Sequence, residues 1–174
     1  VFVRRGIALN TFGEYGRRGI NLGIGTDTYP HNYLDEMRTA LYTARAVGGS
    51  VADLKTTDVF NAATVGGARA LRRDDIGRLA VGARADIVMS DLKHPAMMPV
   101  REPLRSLIYV AGDRAIRDVF VDGDHVVRAG QVQTIDLAAA SQALEDAQQR
   151  SMAKVPSRDS VSYTHLRAHE TYPH

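Results

Sequence analysis

The most constraining stretch of the sequence is residues 19–49, where a period-two run passes through a short loop into a run of helical period. Ile20, Leu22 and Ile24 alternate with Asn21, Gly23 and Gly25 as far as Thr26-Asp27, the alternation expected of a strand whose successive side chains point to opposite faces. Beyond Pro30, Asn32 is placed to cap a helix whose apolar residues Leu34, Met37, Leu41 and Ala44 fall at i, i+3, i+7 and i+10. Asp35 and Glu36 lie in its first turn, where the helix dipole favours anions, and Gly48-Gly49 ends it. A strand, a loop and a helix in that order predict an α/β fold. They put Asp27 at the C-terminal end of the strand, where α/β barrels present catalytic groups. An Asp after a strand also serves to cap a turn, so position alone leaves both roles open.

The remainder is less uniform. Thr57 is placed to cap a second helix with Val59, Phe60 and Ala63 on one face, broken or kinked at Gly66-Gly67 before Ala68 to Arg72 resumes a helical turn. From Ile76 onward Gly77 and Gly82 punctuate short segments, and Ala85-Asp86-Ile87-Val88-Met89 is a compact β-prone run. Pro95, Pro99 and Pro103 mark a long loop, with Met97-Met98 a hydrophobic plug or contact surface between prolines. Ile116 to Val121, then Asp122-Gly123, then His125 to Arg128 predict a hairpin, because Asp-Gly supplies the positive φ that a tight turn between twisted strands requires. A final amphipathic helix is expected from Asp136 to Arg150, with Leu137, Ala140, Leu144 and Ala147 on its apolar face. From Ser157 on, apolar periodicity stops. The run from Val161 to Thr171 is similar to a translated sequencing adaptor, so a non-native or disordered tail is expected there.

Composition narrows the chemistry. With no Cys there is no disulfide framework, thiolate metal site or cysteine nucleophile, so any metal must be held by His and carboxylates, and a reducing, cytoplasmic setting is favoured. The 22 Lys+Arg and 20 Asp+Glu are dispersed, with Arg4-Arg5, Arg17-Arg18 and Arg72-Arg73 the only basic doublets, so no nucleic-acid partner is implied. No apolar run approaches the ~20 residues of a membrane span, and Val1 to Gly6 lacks a signal-peptide pattern, so no membrane partner is expected. Gly23-x-Gly25 is no dinucleotide fingerprint, because its glycines lie within the predicted strand instead of opening a helix. The first residue is Val1 in sequence that already reads as structured, and a fragment of a longer protein is expected.

Three stretches carry a resemblance. Gly23-Ile-Gly-Thr-Asp27 followed by Asn32-Tyr-Leu-Asp-Glu-Met-Arg38 resembles the final barrel strand and following helix of the amidohydrolase superfamily. Ala62 to Leu71 and Ile76 to Val88 resemble the segment that leads those enzymes out of the barrel into a small β-domain, and Val119 to Val127 resembles that domain's closing strands. The matches run in family order, and the branch they resemble holds cytosine deaminase, S-adenosylhomocysteine deaminase and triazine chlorohydrolases. The resemblance implies the C-terminal end of a metal-dependent TIM-type (β/α) barrel plus part of a small β-sandwich. Residues 1–75 would be barrel, 76–135 the sandwich portion, 136–156 a C-terminal helix and 157–174 the tail.

The resemblance also implies hydrolysis at an amidine-like carbon of a small nitrogen heterocycle, with ammonia, an amine or halide leaving, aided by a divalent ion, zinc or iron. Asp27 matches the family's metal-binding and catalytic aspartate. His31, Thr28 and Asn32 share the loop beside it as candidate substrate-binding residues, His31 being equally compatible with a surface loop histidine. Asp86 is expected to be structural, bonding turn amides of the β-domain. A homo-oligomer of the full-length parent is left open.

One departure limits these implications. The family builds its site from a His-x-His pair and two further histidines, whereas this chain has no His-x-His and, outside the tail, only His31, His94 and His125. The isolated chain is therefore expected to bind metal weakly, to turn nothing over, and to aggregate through exposed edges and helix faces. The alternative is a noncatalytic scaffold or binding module on an amidohydrolase-like frame.

Overall fold

The computed structural model describes Gly6 and residues 11–27, 31–52 and 54–154. Thr28 and the tail from residue 157 lie outside the described residues. The chain divides into two compact units, Val1–Gln133 and Thr134–His174.

The first unit is organised around a long helix that forms where the sequence predicts it. After α1 (Phe12–Arg17), α2 spans Tyr33–Gly48. The Asn32 side chain accepts from the Asp35 N–H at 3.2 Å, and Gly49 closes the helix at φ 71°, a left-handed conformation that costs glycine little. Met37, Leu41 and Ala44 are buried in a cluster with Leu54, Val59 and Ile108, and Leu34 and Ile24 pack against it. Each of the largest fully buried members, Leu41, Ile108 and Val59, contributes about 1.5–3 kcal/mol by leaving water.

The next helix departs from expectation in two ways. α3 (Thr56–Asn61) starts before Thr57, and Thr57 is not its cap. Asp58, within the helix, instead reaches back to accept from the Lys55 N–H at 2.8 Å, and this replaces a hydroxyl cap. Gly66-Gly67 does not break the helix. Ala62–Gly66 widens into a π turn that runs directly into α4 (Gly67–Ala70). Gly66 is needed for proximity, since a Cβ there would lie 2.1 Å from the Leu22 carbonyl oxygen. The buried line is Val59, Ala62 and Gly66, and Phe60, one residue off that line, is exposed.

A further helix stands where the prolines predict only loop. Pro95 opens a 3-10 turn. Pro103 opens α5 (Pro103–Ser106), at the first helical position, where a missing N–H costs nothing. α5 continues as a π turn over Leu107–Ala111, Gly112 ends that helical run at φ 58°, and a separate 3-10 turn spans Gly112–Ala115. The π turn delivers Ile108 to the core, while Met97 is buried against Ala111 and Ala115, so the plug is real for Met97, and Met98 is exposed.

The β part is one four-stranded sheet in sequence order: β1 (Ile87–Ser90), β2 (Ile116–Val121), β3 (Asp124–Arg128) and β4 (Gln131–Val132). All neighbours are antiparallel. Asp122 and Gly123 have φ of 52° and 91°, the positive pair that the Asp-Gly signal predicts. Asp86 Oδ1 accepts from the Asp122 N–H at 2.8 Å, so its structural reading holds.

The predicted strand at Gly19–Asp27 is the main correction. Residues 20–27 form no regular element and none pairs in a sheet, although exposed and half-buried residues alternate from Asn21 to Asp27. A period-two pattern makes a strand only when a neighbour supplies the ladder, and no described residue does. In the second unit α6 (Leu137–Met152) is capped by the Asp136 side chain, which accepts from the Ala139 N–H at 3.0 Å. None of its residues is buried, so the helix predicted from its apolar stripe forms without that stripe being covered. Among the described residues no helix is long and apolar enough to cross a membrane.

Candidate functional site

Asp27 ends the segment 20–27 as an exposed carboxylate on a left-handed backbone, φ 60°. That conformation is disfavoured for residues with a Cβ, Asp and Asn tolerating it best, so the surroundings must hold it. Immediately before it, the Thr26 hydroxyl oxygen lies 3.0 Å from His31 Nδ1. His31 thus contacts the residue before Asp27, and Asn32 spends its side-chain oxygen on the α2 cap.

The segment behind Asp27 is anchored on the wide turn of the α3–α4 helix. Asn21 Nδ2 donates to Gly66 O at 2.9 Å, and the Leu22 carbonyl rests against Gly66. Tyr33, the first residue of α2, donates its hydroxyl to Ile24 O at 2.6 Å and lies 3.4 Å from Ala63 O. Burial raises the Tyr33 phenol above its usual pKa of 10.0, so the hydroxyl keeps its proton at neutral pH. Sequence reasoning missed both Asn21 and Tyr33. The available signal was an aromatic residue directly after the cap, off the apolar stripe of α2.

The other described histidines, His94 and His125, serve local structure. His94 Nδ1 accepts from the Ala96 N–H at 3.1 Å, capping the 3-10 turn. His125 Nε2 lies 2.9 Å from Asp118 Oδ1 and its ring stacks on Phe120 at 4.2 Å between centroids. Asp118 is held below the usual carboxylate range chiefly by the Ala129 N–H, with His125 and Arg117 adding to it. Among the described residues no group of three His, Asp or Glu could hold a metal ion. Asp27 offers one carboxylate where a hydrolytic metal site needs three or more protein ligands, so the described residues do not fit a complete metal centre.

The profile of the amidohydrolase family matches residues 7–126. The chain belongs to the amidohydrolase family. Within it, the chain is 37% identical over 136 residues to a 5-methylthioadenosine/S-adenosylhomocysteine deaminase from Desulfitobacterium hafniense, a match covering 76% of this chain and 31% of the relative. Its structure is similar to a zinc-bound adenosine deaminase from Xanthomonas campestris, with TM-score 0.74 and 34% identity, covering 79% of this chain and 33% of the other. It is also similar to a zinc-complexed atrazine chlorohydrolase from Arthrobacter aurescens, with TM-score 0.73 and 28% identity, covering 82% and 33%. This amidohydrolase chain thus spans about a third of the length of the relatives it matches.

Proposed function

We propose that the chain is the C-terminal portion of a metal-dependent amidohydrolase, comprising the end of the (β/α) barrel, part of a β-sandwich from about residue 76, and a terminal helix. The whole enzyme would act on a small nitrogen heterocycle or cyclic amidine in a cytoplasmic setting, in the manner of a deaminase or chlorohydrolase. Family membership supports the hydrolytic class. The observation that carries the site is Asp27, an exposed carboxylate on a left-handed backbone just after a segment tied by the Tyr33 hydroxyl to Ile24 O and by the Thr26 hydroxyl to His31.

In this reading water adds to the ring carbon, a C–O bond forms, and the C–N or C–halogen bond breaks. Asp27 takes the proton of the attacking water and, where nitrogen leaves, returns it to that atom, a role that requires a carboxylate within one hydrogen bond of both. A divalent ion, zinc or iron, would lower the pKa of water to about 7. Asp27 is the ligand this chain offers it, the others coming from outside the described residues. His31, Thr28 and Asn32 would face substrate, and the isolated chain would be inactive. The lack of a metal-ligand cluster among the described residues favours one rival, a noncatalytic frame; a His-x-His pair and two more histidines in the longer protein would exclude it.

The test is Asp27→Asn in the longer enzyme, assayed by ammonia release from 5-methylthioadenosine and chloride release from a chlorotriazine. Loss of kcat by about 10²–10⁴-fold, the scale of general acid–base catalysis, supports the reading. Retention of full kcat refutes it.

A further inference from the structure

A segment with strand-like alternation is ordinarily held by a hydrogen-bond ladder, and residues 20–27 have none among the described residues. Their anchors are of another kind, and two of them end on one feature. The π turn Ala62–Gly66 presents two carbonyls toward the segment, with Gly66 O taking the Asn21 amide at 2.9 Å and Ala63 O lying 3.4 Å from the Tyr33 hydroxyl. π turns inside helices recur at functional sites. A phenol has a single proton to donate, so the 2.6 Å contact to Ile24 O is the Tyr33 hydrogen bond and Ala63 O is its weaker neighbour.

That bond ties the first turn of α2 to a point three residues before Asp27. The contact between the Thr26 hydroxyl and His31 spans Asp27. Asp27 itself sits at φ 60°, a conformation its own preferences do not secure. The direction of the carboxylate therefore depends on where its neighbours are pinned, and Ile24 O is pinned by one hydroxyl.

We propose that Tyr33 is a positioning residue for Asp27, its hydroxyl setting the placement of the carboxylate through the Ile24 carbonyl. The inference rests on the reading of Asp27 as the reacting carboxylate. It adds a residue that touches neither substrate nor metal. Displacement of a catalytic group by ~1 Å costs up to about 10²-fold in rate, while removal of a hydroxyl behind the site leaves substrate contacts in place.

The experiment compares Tyr33→Phe, Tyr42→Phe and Asp27→Asn in the longer enzyme, by steady-state kinetics, thermal midpoint and the crystal structure of Tyr33→Phe. Tyr42 is the control, an exposed tyrosine of the same helix facing Tyr109. Tyr33→Phe is expected to lower kcat by about tenfold to a hundredfold with KM within about twofold, to leave the thermal midpoint near wild type, and to show a displaced Asp27 carboxylate. Tyr42→Phe is expected to leave kcat and KM within twofold. An unchanged kcat in Tyr33→Phe alongside an inactive Asp27→Asn overturns the inference and leaves the function standing. A Tyr33→Phe enzyme that loses thermal stability with kcat and KM changed together has lost a structural strut, which also overturns it. An active Asp27→Asn enzyme removes the functional reading itself.

Discussion

The segment 20–27 alternates apolar with small or polar residues and the hairpin Ile116–Arg128 does not, yet of the two only the hairpin is a sheet among the described residues. In the hairpin the partner strand is two residues away, Asp122-Gly123 adopts the positive φ values that reverse the chain, and Asp86 holds the turn by its amide. Sheet formation is a local event there. The segment has no neighbour within reach of a tight turn, so it is held by side chains instead, the Asn21 amide on Gly66 O at 45 residues' separation and the Tyr33 hydroxyl on Ile24 O. Alternation specifies which face is buried; pairing requires a second strand. In this chain the element that pairs by itself carries structural residues, and the element that does not carries Asp27.

Substitutions can break or sharpen this contrast, with hydrogen exchange in the longer enzyme reporting each region separately. The largest effect is expected from Ile108→Ala, which empties the core against which Ile24 packs. It should cost about 2–5 kcal/mol and raise exchange at 20–27 and in α2 while sparing β2 and β3. Gly66→Ala should follow at about 1–3 kcal/mol, because the new methyl meets the Leu22 carbonyl, a backbone atom that can move only with the segment. If Gly66→Ala disturbs the hairpin as much as the segment, the contrast is wrong. Asp86→Ala should cost about 1 kcal/mol, confined to the turn at Asp122, with 20–27 unchanged.

The smallest expected effect is a dependence on pH in the sheet alone. The folded pKa of Asp118 is lowered, so its stabilisation is complete above the usual value of 3.8 and is lost as pH falls below it toward the folded value. Exchange at Ala129 should rise below pH 4 more steeply than at 20–27, and Asp118→Asn should remove the difference. Equal acid sensitivity in both regions would contradict the assignment.

What the sequence made legible follows the same division. Asn32 capping α2, Gly49 ending it, the Asp122-Gly123 turn and the Asp86 bond all rest on short-range signals, and the structure shows each of them. The helical run from Pro103 to Ala111 was obscured because three prolines spaced along a stretch read as loop, although Leu104, Leu107, Ile108 and Ala111 keep helical spacing. Thr57 was the plausible cap by residue type, but Asp58 reaches the Lys55 amide and makes a hydroxyl unnecessary. At the site, the location of Asp27 after a period-two run was readable from local pattern and family resemblance. The roles of Asn21 and Tyr33 were not, because the Asn21 acceptor, Gly66, lies on a π turn that no local propensity announces, and the Tyr33 acceptor, Ile24, lies across the loop before α2.

Under the proposed function this chain supplies one carboxylate, Asp27, to a hydrolytic site whose other metal ligands lie outside the described residues. The direct test is the zinc content of the purified chain, by metal analysis and calorimetry, with Asp27→Asn beside it. The account predicts far less than one tightly held zinc per chain and no difference between the two proteins. One tightly bound zinc per chain that is lost in Asp27→Asn would contradict it.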